Sequence, residues 1–387
     1  MRLYDVIRRY LLSIVAMTSA MLLAVACGEQ RVGIDEFSQT VYAPRYALGF
    51  EIVGAEDRAS TILLSHNPWQ GAEDVQTALF IARDGEQPPV GFSGQVLRGD
   101  ARRVVCLSSS HIAMLDAIGC VESVVGVSGI DFISNEYIVA NRDKVGDVGY
   151  DNAVDYELLV ALDADVVLLY GITGANAMEA KLREMGIPYI YIGEYVEQAP
   201  LGKCEWMVAI AEIMGRRAEA EQMFEQIPQR YEALVELAAA AETPRPKVML
   251  NTPYADTWFM ASTSSYLARL IADAGGEYIY KQNDSSTSQP IDLEQAAMLT
   301  AEADVWLNVS GVATVRQLCE RYPKFADVKC VRERAIYNSD RRATPAGGND
   351  FWESGVVRPD VVLGDMIKIF HPELLSDREF VYYRQLE

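Results

Sequence analysis

Residues 216–241, RRAEAEQMFEQIPQRYEALVELAAAA, limit most strongly how this chain can fold. Their Ala, Glu, Gln and Arg content predicts one long helix. Met223, Phe224, Ile227, Tyr231, Leu234 and Leu237 fall three and four apart and make a single apolar stripe. Gly215 suits the end of a preceding helix, and Thr243-Pro244-Arg245-Pro246 stops this one. At ~1.5 Å per residue the rod is roughly 39 Å long, enough to cross a domain. Pro228 removes one backbone donor within it and favours a kink. The same strand–helix plan lies on both sides, so the rod reads as a rigid connection between two lobes.

On the N-terminal side, buried-strand patterns at 104–107, 124–127, 166–169 and 189–192 alternate with helical patterns at 111–118, 155–162, 178–185 and 201–214. On the C-terminal side, strands at 248–250, 305–308 and 335–338 alternate with helices at 266–274, 292–299 and 361–370. Asp292 and Gln295 have capping-box spacing. Asp155-Tyr156-Glu157 leads to Ala164-Asp165-Val166, and Asp292-Leu293-Glu294 leads to Ala303-Asp304-Val305. Each is a capped helix followed by Ala-Asp-Val opening a strand, a weak internal duplication. The fold class is therefore α/β, with two Rossmann-like lobes joined by one long helix. The expected segments are a signal peptide at 1–26, a tether and small β extension at 28–100, lobes at 101–215 and 245–387, and the helix at 216–241. In the extension, 46–53, 60–65 and 75–82 read as a three-strand antiparallel meander closed by Gln87-Pro88-Pro89.

The chain has 387 residues, half of them hydrophobic, which is ample for large cores. Its formal charge of −21 argues against a nucleic-acid partner. No apolar stretch beyond the N-terminus approaches the ~20 residues of a membrane-spanning helix. Arg2, Arg8 and Arg9 precede an apolar run at 11–26, the pattern of a targeting segment. Leu22-Leu23-Ala24-Val25-Ala26-Cys27 resembles the lipobox of bacterial lipoproteins, with Ala24 where Leu is usual. That resemblance implies cleavage before Cys27 and lipidation of its thiol, which holds a protein at a membrane without spanning it. Cys106, Cys120, Cys204, Cys319 and Cys330 remain, an odd number with no Cys-x-x-Cys spacing. Cys106 and Cys120 sit among core residues; whether Cys319 and Cys330 bridge is open.

Enzyme signatures are sparse. Only His66, His111 and His371 are available, and no zinc, nucleophile-elbow or phosphate-loop motif occurs. Ser110 and His111 are adjacent, so at a helix start they point about 100° apart. What the chain does offer is loops at the carboxyl ends of strands, where open α/β sheets hold ligands. The loops at 108–111, 128–135, 170–176, 193–197, 251–258 and 339–353 carry Ser109, His111, Tyr170, Tyr195, Tyr254, Trp258, Arg341, Arg342, Asn349 and Trp352; Tyr150 precedes a helix nearby. Aromatic rings with a few polar anchors suit a bulky organic ligand, and arginines suit an anionic group on it.

Arg103-Val-Val-Cys-Leu-Ser-Ser-Ser-His111, then Ala117-Ile118-Gly119 and Val124-Val125-Gly126-Val127, resembles the opening of the helical-backbone substrate-binding proteins of ABC importers. Lys144-Val145-Gly146, the 162–168 block and Met185-Gly186-Ile187-Pro188 resemble the blocks that follow, so the likeness spans about 103–375. That family serves iron–siderophores, haem and cobalamin. The resemblance implies a ligand clamped between two lobes with only slight closure. It also implies one exposed Glu per lobe docking onto arginines of the permease; Glu157 and Glu294 match. Both also lie in first helical turns, where an acid simply suits the dipole. The expected protein is then a monomeric, lipid-anchored, non-enzymatic component of the cell envelope without cofactor or bare metal site. An iron–siderophore is the first choice of ligand, with cobalamin next and haem behind it. An envelope hydrolase using a serine of the 108–110 loop, and a surface adhesin or sensor, are the readings from other classes. The 46–82 extension and Pro228 depart from the family pattern.

Overall fold

A computed structural model describes residues 32–150, 153–309 and 311–387. The expected signal peptide and Cys27 lie outside the described residues. The extension is a five-stranded sheet: β1 Gln39–Tyr42, β2 Phe50–Gly54, β3 Thr61–His66, β4 Gln76–Ala82 and β5 Gln95–Arg98, in that spatial order. β1 to β4 pair antiparallel, and β5 joins β4 in parallel. The expected meander is thus only the middle of the sheet. The Gln87-Pro88-Pro89 turn does not close it: Val90 forms a bridge with Gly33, and β5 follows. From Val32 onward the expected tether is also built in, since Val90 N donates to Val32 O and Ile34 N to Val90 O. Alternation decides the two faces. Ile52, Leu63, Leu79 and Ile81 join the main core, while Phe37, Ile62 and Phe80 make a small core on the other face.

The first lobe runs β6 Val104–Cys106, α1 Ser109–Ala117, β7 Val124–Val127, α2 Glu136–Ala140, β8 Gly146–Asp147, α3 Tyr156–Ala161, β9 Val166–Leu169, α4 Met178–Met185 and β10 Tyr189–Tyr191. Its sheet is wholly parallel, in the order β10-β9-β6-β7-β8. β6, β9 and β10 are buried at every residue, as strands covered on both faces must be. α5, Pro200–Ile213, follows and is buried along its whole length, charged residues included. The long helix is α6, Arg217–Ala239. It runs unbroken across Pro228, which is buried, so the expected interruption does not occur.

The second lobe contains β11 Lys247–Leu250, β12 Trp258–Met260, α7 Tyr266–Asp273, β13 Glu277–Tyr278, β14 Gln289–Ile291, α8 Leu293–Glu302, β15 Val305–Leu307, α9 Val315–Arg321, α10 Lys329–Arg332, β16 Ile336–Asn338, α11 Pro359–Phe370 and β17 Arg384–Gln385. The order is β13-β11-β15-β16-β17, antiparallel only at β17, and β12 pairs with β14 in a separate ribbon. The duplication has a physical basis. Asp165 accepts from Arg102 N and Arg103 N, and Asp304 from Lys247 N, so each Ala-Asp-Val aspartate pins the first strand of its lobe. Asp155 and Asp292 both cap the helix before. The capping box is half made, because the Gln295 amide turns instead to Gln282. All five described cysteines are free, so Cys319 and Cys330 do not bridge.

Three buried glutamates bind the extension to the lobe. Glu205 accepts from the Tyr42 hydroxyl and the backbone N–H groups of Arg45, Tyr46 and Ala47. Glu197 accepts from Leu48 N, Gly49 N and Trp206 Nε1. Glu212 accepts from Thr61 and pairs with Arg83 and Arg217. These donors hold residues 45–49 as a loop, which is why β2 starts at Phe50 and not at Tyr46.

Candidate functional site: the cleft between the lobes

Strand order reverses beside β6 in the first lobe and beside β11 in the second, and open α/β sheets place ligand sites at such carboxyl ends. On the first lobe, Asp147 accepts from Gly129 N, Ile130 N and Gly149 N, which shapes two loops at once. Gly129 has φ 67°, and a Cβ there would lie 2.1 Å from the Tyr150 hydroxyl oxygen, so the ring sits directly over it. Phe132 meets Tyr150 edge-on at 6.2 Å, and both rings are about half exposed. The extension supports the neighbouring loops. Trp69 packs on Gly171 and Tyr191, and Gln70 N donates to Ile172 O.

Behind these loops lies a buried polar cluster. Ser110 donates to Glu194, and Ser108 lies 2.7 Å from Ser110 oxygen to oxygen. His111 Nε2 is 3.5 Å from the other Glu194 oxygen, and both residues are buried. Burial alone would raise the Glu194 carboxyl, but the His111 and Lys203 charges and the Ser110 donor hold it below its usual range. Lys203, on α5, places its ammonium 5.7 Å from the ring centre of Tyr195 and 5.5 Å from that of Tyr266. Tyr266 in turn touches Trp352 at 6.1 Å. A line of contacts thus runs from Tyr195 in the first lobe through Lys203 to Tyr266 and Trp352 in the second.

The lobes also touch directly. Glu353 accepts from Ser134 N at 2.9 Å and from Asn135 N, and Thr344 donates to Asp131 O. A Cβ on Gly348 would fall 1.8 Å from Phe132 O, so only glycine permits this approach. Burial, with help from Asp350 and Asp116, pushes the Glu353 carboxyl up to about 7 against the two backbone donors.

Of the residues selected by sequence, Tyr150, Tyr195 and Trp352 present half-exposed rings, and Tyr254 is 80% exposed on its turn. Ser109, at the start of α1, and Tyr170, at the end of β9, are half-buried. Arg341 is exposed, and Arg342 pairs with Asp350. Two expectations are corrected. Trp258 is fully buried: it opens β12, donates from Nε1 to Leu250 O, and stacks on Trp306 at 5.7 Å. It is a core residue, not part of the cleft surface. His111 is likewise fully buried and touches the cleft only through Glu194. Ser110 does not pair with His111: its hydroxyl donates to Glu194, and neither ring nitrogen of His111 makes a hydrogen bond. Lys203, Tyr266, Glu194 and Glu353 were not singled out. The one available signal was Lys203 as the sole cation in the apolar 200–213 segment. Among the described residues no three His, Cys, Asp or Glu side chains converge as metal ligands.

A family model for periplasmic binding proteins matches residues 104–343, starting on the first residue of β6. The chain belongs to the periplasmic binding protein family. Two uncharacterised lipoproteins of Methanocaldococcus jannaschii are similar to it. One is 24% identical over 365 residues, covering 88% of this chain and 84% of the relative. The other is 26% identical over 257 residues, covering 64% and 63%. Among solved structures, a periplasmic haem-binding protein from Pseudomonas aeruginosa superposes with a TM-score of 0.58 at 17% identity, over 74% of this chain and 98% of that one. A periplasmic haem-binding protein from Roseiflexus gives 0.53 at 21% identity, over 71% and 99%. These likenesses show the two-lobed fold. The periplasmic binding proteins of this type are solute carriers that work with an ABC permease. This binding protein adds the 39–98 sheet, which lies outside the matched segment.

Proposed function

We propose that this periplasmic binding protein is the lipid-anchored substrate-binding component of an ABC importer, and that it carries an iron chelate between its lobes. The observation that carries the reading is the line of contacts across the lobe junction: Tyr195 and Tyr266 on the Lys203 ammonium and Trp352 against Tyr266, with Tyr150 against Phe132 on the first lobe. The half-exposed rings of Tyr150, Tyr195 and Trp352 suit a bulky chelate whose metal is already ligated, and among the described residues no bare-ion ligand set accompanies them. The haem-binding function of the structural neighbours supports the same class of ligand. The lipoprotein names of two relatives support lipidation at Cys27 and a cell-envelope location. Glu157 and Glu294 stand exposed in the first turns of α3 and α8, without an ion pair among the described residues, as docking carboxylates would. Paired surface carboxylates speed and orient an encounter, and salt weakens both effects.

The test is a fluorescence titration of the full chain with ferric siderophores, haem and cobalamin. Quenching by an iron chelate, reduced in Trp352→Phe, is expected. Quenching by cobalamin alone would move the ligand to a corrin, and quenching by none of them would refute the chelate reading.

A further inference from the structure

One face of the extension sheet packs on the main core, and the outer face carries a groove of about 240 Å³. Val53 of β2, Ile62 and Leu64 of β3 and Ala78 of β4 line it, together with Ile34 and Phe92. A Cβ on Gly94 would fall 2.3 Å from Ala78 O, so glycine lets the 91–94 loop close on β4. Phe92 then packs on Phe80, with ring centres 5.9 Å apart. Ile34 is nonetheless 37% exposed, and Val90, next to the groove-lining Gly91, is 59% exposed. Apolar side chains left open around a fixed groove mark an interaction surface.

The course of the chain says what covers it. Val32 O accepts from Val90 N, and Gly33 bridges to Val90, so the chain joins the sheet at the edge of this groove. Cys27 lies five residues before Val32, a span of about 17 Å at full extension. We propose that this outer face rests on the membrane that holds the Cys27 anchor, with Ile34 and Val90 at the boundary between headgroups and acyl chains. The proposal rests on the lipidation reading above. An anchor so near keeps the face at high effective concentration over the lipid, so a small apolar contact suffices where it would not hold a free protein. Asp35 and Glu36, exposed beside Ile34 and without an ion pair among the described residues, keep the face at the interface and out of the hydrocarbon.

The test places the processed, lipidated protein in phosphatidylcholine vesicles whose acyl chains carry bromine, which quenches tryptophan fluorescence on contact. Mass spectrometry first establishes the acyl mass on Cys27. Val90→Trp reports on the proposed face and keeps the backbone bonds of Val90. Val139→Trp is the control: Val139 is 49% exposed on α2, which leads into β8, whereas the extension packs on β10 at the other edge of the first-lobe sheet. After subtraction of the wild-type emission, brominated lipid should quench Val90→Trp about twofold and leave Val139→Trp nearly unchanged. Ile34→Trp should behave as Val90→Trp does, and serves in its place should that variant not fold. Equal quenching of face and control, or none at the face, overturns the membrane contact and leaves the lipid anchor standing. A Cys27 without acyl mass overturns the anchor and the contact together.

Discussion

Glu353→Gln tests how the two lobes are held together. Glu353 accepts from Ser134 N and Asn135 N across the lobe junction, and burial pushes its carboxyl up to about 7 from the ordinary 4.5. The native protein therefore holds this proton more tightly than the unfolded chain does. That contribution to stability is complete below about 4.5 and is lost as pH rises through about 7. At ~1.4 kcal/mol per pH unit the full span is about 3 kcal/mol. The glutamine keeps an acceptor oxygen for one backbone donor but has no charge to bury. It should match the wild type at pH 4.5 and exceed it by up to about 3 kcal/mol at pH 8, with the gap opening between the two. Urea denaturation of both proteins at pH 4.5, 5.5, 6.5 and 8 gives the difference directly, and subtraction cancels every other titrating group. A difference that stays flat across this range would refute the buried, proton-hungry Glu353 contact.

Four further outcomes follow from named contacts. Reversing both Glu157 and Glu294 to Lys should abolish transport in cells while fluorescence shows unchanged ligand affinity; lost affinity would exclude a docking role. Glu205→Ala strands the three N–H donors of residues 45–47 and should cost about 3–5 kcal/mol, with hydrogen exchange accelerated first in β1 and β2. Trp258→Ala should cost about 3–5 kcal/mol in denaturant unfolding, and Trp258→Phe should leave ligand affinity unchanged, because the ring is core. Gly348→Ala should weaken ligand binding, since its Cβ cannot occupy the space of Phe132 O, and small-angle scattering should show a more open pair of lobes.

The large-scale plan was legible because it rests on periodicity. The apolar stripe of α6, the β-branched runs of β6, β9 and β15, and the Asp155 and Asp292 caps are local signals, and local sequence determines them. Pro228 was over-weighted: packing along α6 keeps the helix whole where propensity alone argues for a break. The β12–β14 ribbon is three residues per strand, too short for alternation to show, and so Trp258 was assigned to a loop rather than the core. β5 was missed because its parallel partner β4 makes no turn signal next to it. At the cleft, the exposed rings of Tyr150, Tyr195 and Trp352 were visible as aromatics at strand ends. Lys203, Glu194 and Tyr266 were not: Lys203 is distinguished by the rings that pack on it from other elements, and Glu194 and Tyr266 by the partners they lack, which only the packed structure reveals.

The most direct measurement is a thermal-shift panel on the full chain with ferric siderophores, haem, cobalamin and simple metal salts. A ligand at 100 times its dissociation constant adds about 2.7 kcal/mol, a rise of several degrees at most in a protein this size. A rise with an iron chelate and none with the bare salts is the expected result. A rise with a simple metal salt alone, or with none of the panel, would contradict an iron-chelate carrier.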